Sequence, residues 1–286
     1  MTSTVKATIA AFAVFFVLTL MQLFAKLLGD VYHPVEIAFW RNLIGTLIIL
    51  GYIYVFDKGR ARLKTGRPWA HLLRAVVGTA GIVSTFAAFA YMPMAETTTL
   101  LFTASLLMPV FGFIFLREAV GPVRWTAVII GFSGVARRAG PGTSVDAFGL
   151  MLGLVSAVLI ALVTVILRWL GNSEHPLTTA VYFTGLGSLC LVPFMPFFAQ
   201  SISLYTIPLL IGVGASGGLA QILLSLVYVH LQPATVAPIN YTGLIWSVMF
   251  DVLIFSHVPA WPVFAGAGII IGANMLILRR RRRAAV

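Results

Sequence analysis

The sequence predicts an all-α polytopic membrane protein, with ten transmembrane helices arranged as two inverted five-helix repeats. Three observations carry this. Of 286 residues, 60% are hydrophobic and 9% charged, with a mean hydropathy of +1.01, which is more apolar surface than a soluble globule can hide from water. The apolar residues gather in ten stretches, each near the roughly 20 residues that a helix needs to cross a bilayer. Finally, a nine-residue phrase (basic, x, Leu, Gly, Asp/Asn, x, x, His, Pro) runs from Lys26 to Pro34 and again, 142 residues later, from Arg168 to Pro176.

In chain order, the spans lie near 7–28, 35–56, 71–91, 94–116, 122–138, 147–169, 177–199, 205–230, 233–255 and 259–278. They are apolar all round, whereas a β-barrel shows short segments alternating with polar lumen positions. The first span leads into further spans with no small-residue cleavage site, so it reads as a retained helix rather than a signal peptide. The single cysteine, Cys190 in the seventh span, rules out an intrachain disulfide framework.

The charge of +11 gains meaning from its placement. With the N-terminus inside, 15 of the 19 Lys and Arg fall on the inward segments, leaving only Lys26, Arg41, Arg137 and Arg138 outside or near it. This bias follows the positive-inside rule and puts both termini in the cytoplasm, as an even number of spans requires. The run Arg279 to Arg283 is then a topology and anionic-lipid signal. Nucleic acid is not expected as a partner, because a basic run needs a fold around it to read bases.

The second copy continues at an offset of 139: Phe102 to Phe111 aligns with Tyr241 to Phe250, and Gly78 falls on Gly217. Residues 1–140 thus form the first repeat and 141–286 the second. Five is odd, so the copies cross the membrane in opposite directions, the architecture of alternating-access transporters with a site near the midplane. No His-Glu-x-x-His helix, Gly-x-Ser-x-Gly turn, metal-ligand cluster or nucleotide-binding motif occurs, so neither an enzyme nor a cofactor is expected.

Candidate pathway residues are uncharged polar and aromatic groups at helical spacing. Thr98, Leu101, Phe102, Ser105 and Pro109 share a face of the fourth span, which the repeat maps onto Ala237, Asn240, Tyr241, Leu244 and Val248. Gln221, Ser225 and Tyr228 form a stripe on the eighth, and Gln22 maps onto Thr164. Gln221 and Asn240 are the stronger candidates, because a buried amide is costly in hydrocarbon unless satisfied. Hydroxyls such as Ser105, Thr164 and Ser225 equally serve helix packing, and Trp246 is wall, gate or lipid-facing aromatic. Arg41 in the second span is expensive unless paired, and its expected partner is Glu36 or a helix C-terminus in a structural or gating role, with binding of a substrate carboxylate as the alternative. Pro109 is a candidate hinge, Asp251 a candidate for proton coupling, and Lys26 an interface anchor.

With ten spans and a five-plus-five repeat, the chain resembles the drug/metabolite transporter superfamily in its EamA-type branch. Its matching phrases are Lys26 closing the first span, Ala38 to Asn42, and Leu116, Arg117 and Glu118 followed by Trp125, Gly131 and Gly134. The second copy departs from the pattern, since Glu118 falls on His257 and Arg41 on Phe183. The resemblance, nearest to bacterial aromatic amino acid exporters, implies a central cavity and small metabolites as substrates. No Lys or Arg occurs from Gly78 to Phe115 or from Pro208 to Phe255, which disfavours polyanionic substrates. The expected function is amino acid export across the bacterial inner membrane, aromatic or other amphipathic zwitterions favoured. A multidrug or organic-cation exporter and a non-transporting membrane scaffold or enzyme subunit are the alternatives.

Overall fold

The computed structural model describes residues 3–57, 63–117, 125, 126, 129, 146–170, 174–231 and 233–283. All regular elements among them are helical. They are α1 (Ser3–Leu28), α2 (Pro34–Tyr52, extended by a π turn Ile53–Asp57), α3 (Pro68–Tyr91), α4 (Met94–Leu101), α5 (Thr103–Leu116), α6 (Ala147–Leu170) and α7 (Pro176–Leu191). After these come a short helix α8 (Met195–Phe198), then α9 (Ile207–His230), α10 (Pro233–Asn240), α11 (Thr242–Leu253) and α12 (Trp261–Arg283). Seven helical stretches among the described residues are long and apolar enough to cross a membrane. The expected fifth span, the boundary at 140 and 141, and Glu118 lie outside the described residues, apart from a few positions in that span.

The repeated phrase is a helix corner. His33 and His175 are both extended N-caps (φ −65°, ψ 142° and φ −66°, ψ 137°). The Nδ1 atoms accept from the backbone N–H of Val35 and Leu177, each at 3.3 Å. A proline follows at the first helical position, where its missing N–H costs nothing. The two corners sit at opposite ends of the bundle. At the His33 end, the imidazole stacks on Phe198 with centroids 4.0 Å apart, and the Tyr32 hydroxyl meets Thr206 at 2.6 Å. At the His175 end, Glu174 accepts from Thr65 Oγ1 at 2.7 Å, and Arg67 reaches the last carbonyls of α6. Helix α2 therefore runs away from the His33 end and α7 towards it.

Lipid tails are as apolar as leucine, so close packing and hydrogen bonds hold such helices together. The packing is crosswise: α1 lies along α9, and α3 along α6. Two notches make this intimate. A Cβ on Gly78 would clash with the Phe183 ring, and one on Gly217 would lie 2.8 Å from Arg41 Nε. Gly78 corresponds to Gly217 and Arg41 to Phe183 under the repeat, so each second helix drives a large side chain into the same glycine of the other copy.

The fourth and ninth expected spans are each broken at one residue, Phe102 and Tyr241. These two positions also correspond. Thr103 Oγ1 donates to Leu100 O at 2.6 Å and Thr242 Oγ1 to Ile239 O at 2.7 Å, so a threonine hydroxyl satisfies a carbonyl freed at each break. Pro109, the candidate hinge, lies inside the continuous α5, and the interruption of this span falls at Phe102. Pro238, without a backbone N–H, precedes the second break by three residues.

Candidate functional site

Two contacts between corresponding residues mark where the copies meet. Phe102 and Tyr241 pack edge to face with centroids 5.1 Å apart, and the Arg41 guanidinium lies 5.7 Å from the centroid of Phe183. Helix α1 runs between these contacts. Met21 adjoins the Gly217 notch, whereas Phe16 packs edge to face on Trp246 at 5.0 Å and Thr19 faces Gly243. Two groups in this region keep a buried polar atom with no partner, Gln22 through Oε1 and Trp246 through Nε1. Buried polar atoms are ordinarily satisfied, so both fit positions that meet a ligand.

The other expected residues divide by what their polar atoms already do. Ser105, Thr164 and Ser225 donate to the carbonyls of Phe102, Ile160 and Gln221 on their own helices, the back-bonding common in membrane helices. Thr98 pairs with Ser247 at 2.8 Å. Because the Ser247 hydroxyl donates to Gly243 O, Thr98 is the donor in that pair. Gln221, Asn240 and Tyr241 are half-buried. The side chain of Tyr228 lies outside the described residues. The face expected from Thr98 to Pro109 crosses the break at Phe102, whose backbone is right-handed helical and whose N–H still donates to Thr98 O at 3.2 Å.

Glu36 does not pair with Arg41. It is buried, and its carboxylate accepts instead from Trp40 Nε1 at 3.4 Å and from the backbone N–H of Gln200 at 3.1 Å. Arg41 donates through Nη1 to Asn42 Oδ1 at 2.8 Å, and its Nε has no partner. Reading along the sequence treats Arg74 only as an inward topology charge. In the structure it is 7% exposed, lies 4.7 Å from the same Phe183 centroid, donates through Nη1 to Thr179 O and also has an unpartnered Nε. The signal for it was its position, one turn before Gly78 on the face that meets Phe183. A desolvated cation–π contact contributes about 2 kcal/mol, whereas burying a charge costs several kcal/mol. Phe183 therefore does not balance the two guanidinium groups.

A third arrangement closes the His33 end. Asp251, fully buried on α11, accepts from the backbone N–H groups of Met94 at 3.0 Å and Ala95 at 2.7 Å, capping α4 from another helix. Lys26 turns inward rather than snorkelling. Its Nζ donates to Phe89 O at 2.9 Å and Met92 O at 2.7 Å, satisfying the last carbonyls of α3, and sits 5.1 Å from the Phe255 centroid. The α3–α4 turn is thus held by a cation on one side and an anion on the other. With Thr98 and Ser247, this joins α4 firmly to α11, whereas α5 and α10 share no comparable contact among the described residues.

No group of three or more His, Cys, Asp or Glu able to hold a metal occurs among the described residues.

Comparison with known proteins places this geometry. The chain is 25% identical over 260 residues to an S-adenosylmethionine uptake transporter of Rickettsia bellii, covering 91% of this chain and 89% of that one. It is 29% identical to a riboflavin transporter of Rhizobium johnstonii, over 86% and 81% of the two chains. It is 27% identical to a pseudopaline exporter of Pseudomonas aeruginosa, over 93% and 94%. A crystal structure shares the fold with a TM-score of 0.69, 17% identity and 97% of both chains covered. The profile of the EamA-like transporter family matches residues 5–137 and again 147–279. The chain is a membrane transporter that belongs to the EamA-like transporter family.

Proposed function

We propose that the chain exports amino acids, aromatic ones favoured, across the bacterial inner membrane by alternating access of two inverted five-helix halves. The observation that carries this reading is the pair of unpartnered polar atoms, Gln22 Oε1 and Trp246 Nε1. Trp246 packs edge to face on Phe16, and Phe102 and Tyr241 pack on one another where the copies meet. Aromatic walls with a few orphaned hydrogen-bonding groups suit a small amphipathic zwitterion. The relatives support a substrate of mixed character, since S-adenosylmethionine joins an amino acid head to a flat heteroaromatic ring and riboflavin carries such a ring. The buried arginines oppose organic cations that carry no anionic group, because such a substrate only adds like charge to them.

The test is uptake of labelled phenylalanine, tryptophan, threonine and glutamate into liposomes holding the purified protein, with and without an imposed proton gradient. Unlabelled S-adenosylmethionine and riboflavin serve as competitors. Saturable uptake favouring the aromatic amino acids is the expected result. Failure of all four to move through folded protein overturns the reading, and competition by only one of the two other compounds redirects the substrate class.

A further inference from the structure

We propose that Arg41 and Arg74 together form an anion site that takes the carboxylate of the transported substrate. The proposal rests on the amino acid reading for the identity of that substrate, and on the geometry of the two side chains for the site itself.

Both guanidinium groups are more than nine-tenths buried and remain charged, because guanidinium does not lose its proton in proteins. They address one ring, Phe183, from 5.7 and 4.7 Å, so they lie no farther apart than the sum of those distances. Each uses an Nη1 donor on a neutral acceptor, Asn42 Oδ1 or Thr179 O, and each leaves its Nε without a partner. No carboxylate forms an ion pair with either among the described residues, and the nearest candidate on α2, Glu36, is committed to Trp40 and Gln200. Two buried like charges against one ring, with donors to spare, suit an anion.

The same seam carries a further unpartnered polar group. His71, one turn before Arg74 on α3, is fully buried with both ring nitrogens unbonded, and it stacks on Tyr182 with centroids 4.8 Å apart. The polar groups left over along α3 and α7 are therefore all donors or neutral. A carboxylate bound by Arg41 and Arg74 offsets the charge of both guanidinium groups. A polyanion is not implied, because a second negative charge meets only neutral neighbours there.

The test is thermal unfolding of the detergent-purified full chain in low-salt buffer. The wild type, Arg41→Gln and Arg74→Gln are each titrated with phenylalanine, phenylalaninamide, benzoate and benzamide. The wild type is expected to gain melting temperature with phenylalanine and benzoate, and to gain far less with the two amides. In either glutamine variant the benzoate affinity falls at least about tenfold, as for a site that loses a buried partner, while the melting temperature without ligand stays level or rises, because an uncompensated charge has gone. Arg41→Lys and Arg74→Lys keep the charge and lose the Nε donor. They give intermediate benzoate affinity and carry the same comparison if a glutamine variant does not fold. Benzoate that stabilises wild type and variants equally, or stabilises neither, overturns the anion site. Arginine-dependent stabilisation by benzoate with no response to phenylalanine leaves the site standing and removes the amino acid reading.

Discussion

Phe102 and Tyr241 stand in the same place in the two copies, each at the single residue that breaks its helix, and their rings meet at 90° with centroids 5.1 Å apart. A residue can touch its own counterpart only near the axis that relates the copies. Arg41 and Phe183 do the same on the other side of α1. A line joining the two contacts follows that axis, and in an inverted repeat the axis lies in the membrane plane.

An edge-to-face pair adds about 0.5–1.5 kcal/mol beyond the area it buries. Phe102→Ala and Tyr241→Ala are expected to be less than additive by that amount in thermal unfolding of the detergent-solubilised protein. Each should also slow transport more than Phe115→Ala, which changes an exposed ring. Strict additivity would remove the contact from the mechanism.

Asp251→Ala leaves the Met94 and Ala95 amides without their carboxylate. Hydrogen bonds to a charged group contribute roughly 1.5–3 kcal/mol each, so a loss of about 3 kcal/mol is expected, with Asp251→Asn milder. Hydrogen exchange at those two amides reads the effect directly, and unchanged protection in Asp251→Ala would contradict the cap.

Thr98 and Ser247 bridge α4 and α11 at 2.8 Å. In a background with Cys190→Ser, the pair Thr98→Cys and Ser247→Cys should oxidise readily, hold the His33 end shut and abolish exchange across the membrane. Reduction should restore it. Full transport by the oxidised protein would show that this end does not open during the cycle.

Partial desolvation of the exposed His33 ring holds it below its ordinary range, with the Glu36 charge opposing. The neutral ring is also what the cap requires, since Nδ1 accepts from Val35. The folded protein thus prefers the unprotonated form, and the unfolded chain binds the proton first as pH falls through about 6.5. The stabilisation is complete above that value and is lost as acidity increases towards the depressed value. His33→Asn, a cap that does not titrate, should flatten this part of the pH profile of unfolding, and an unaltered profile would assign the dependence elsewhere.

Seven of the expected spans were legible, because hydropathy and helix-stop signals act locally. The ends of α1 and α3 coincide with the turns before Pro34 and Met94, and the repeated His-Pro corner marks α2 and α7 alike. The break at Phe102 was not legible, because a proline seven residues away offered the louder local signal while the interruption is stabilised by the partner ring of Tyr241. The Arg41 environment was hidden from the sequence for a related reason. Glu36 is near in sequence, but Gln200 and Trp40 claim its oxygens, and only the tertiary arrangement brings Arg74 to the same ring. Thr98 and Asp251 stood out as polar groups in apolar spans, yet their partners come from across the repeat.

The crosswise packing of α1 on α9 and α3 on α6 bears on biogenesis. At a synthesis rate of 5–20 residues per second, α9 leaves the ribosome about 10 to 40 s after α1 is complete. During that interval α1 rests in the bilayer with Met21, Gln22 and Thr19 facing lipid or a chaperone, so the nascent first half is an insertion intermediate rather than a finished unit. Expressed as two separate polypeptides, the halves would have to find each other in the membrane before either could reach its native packing.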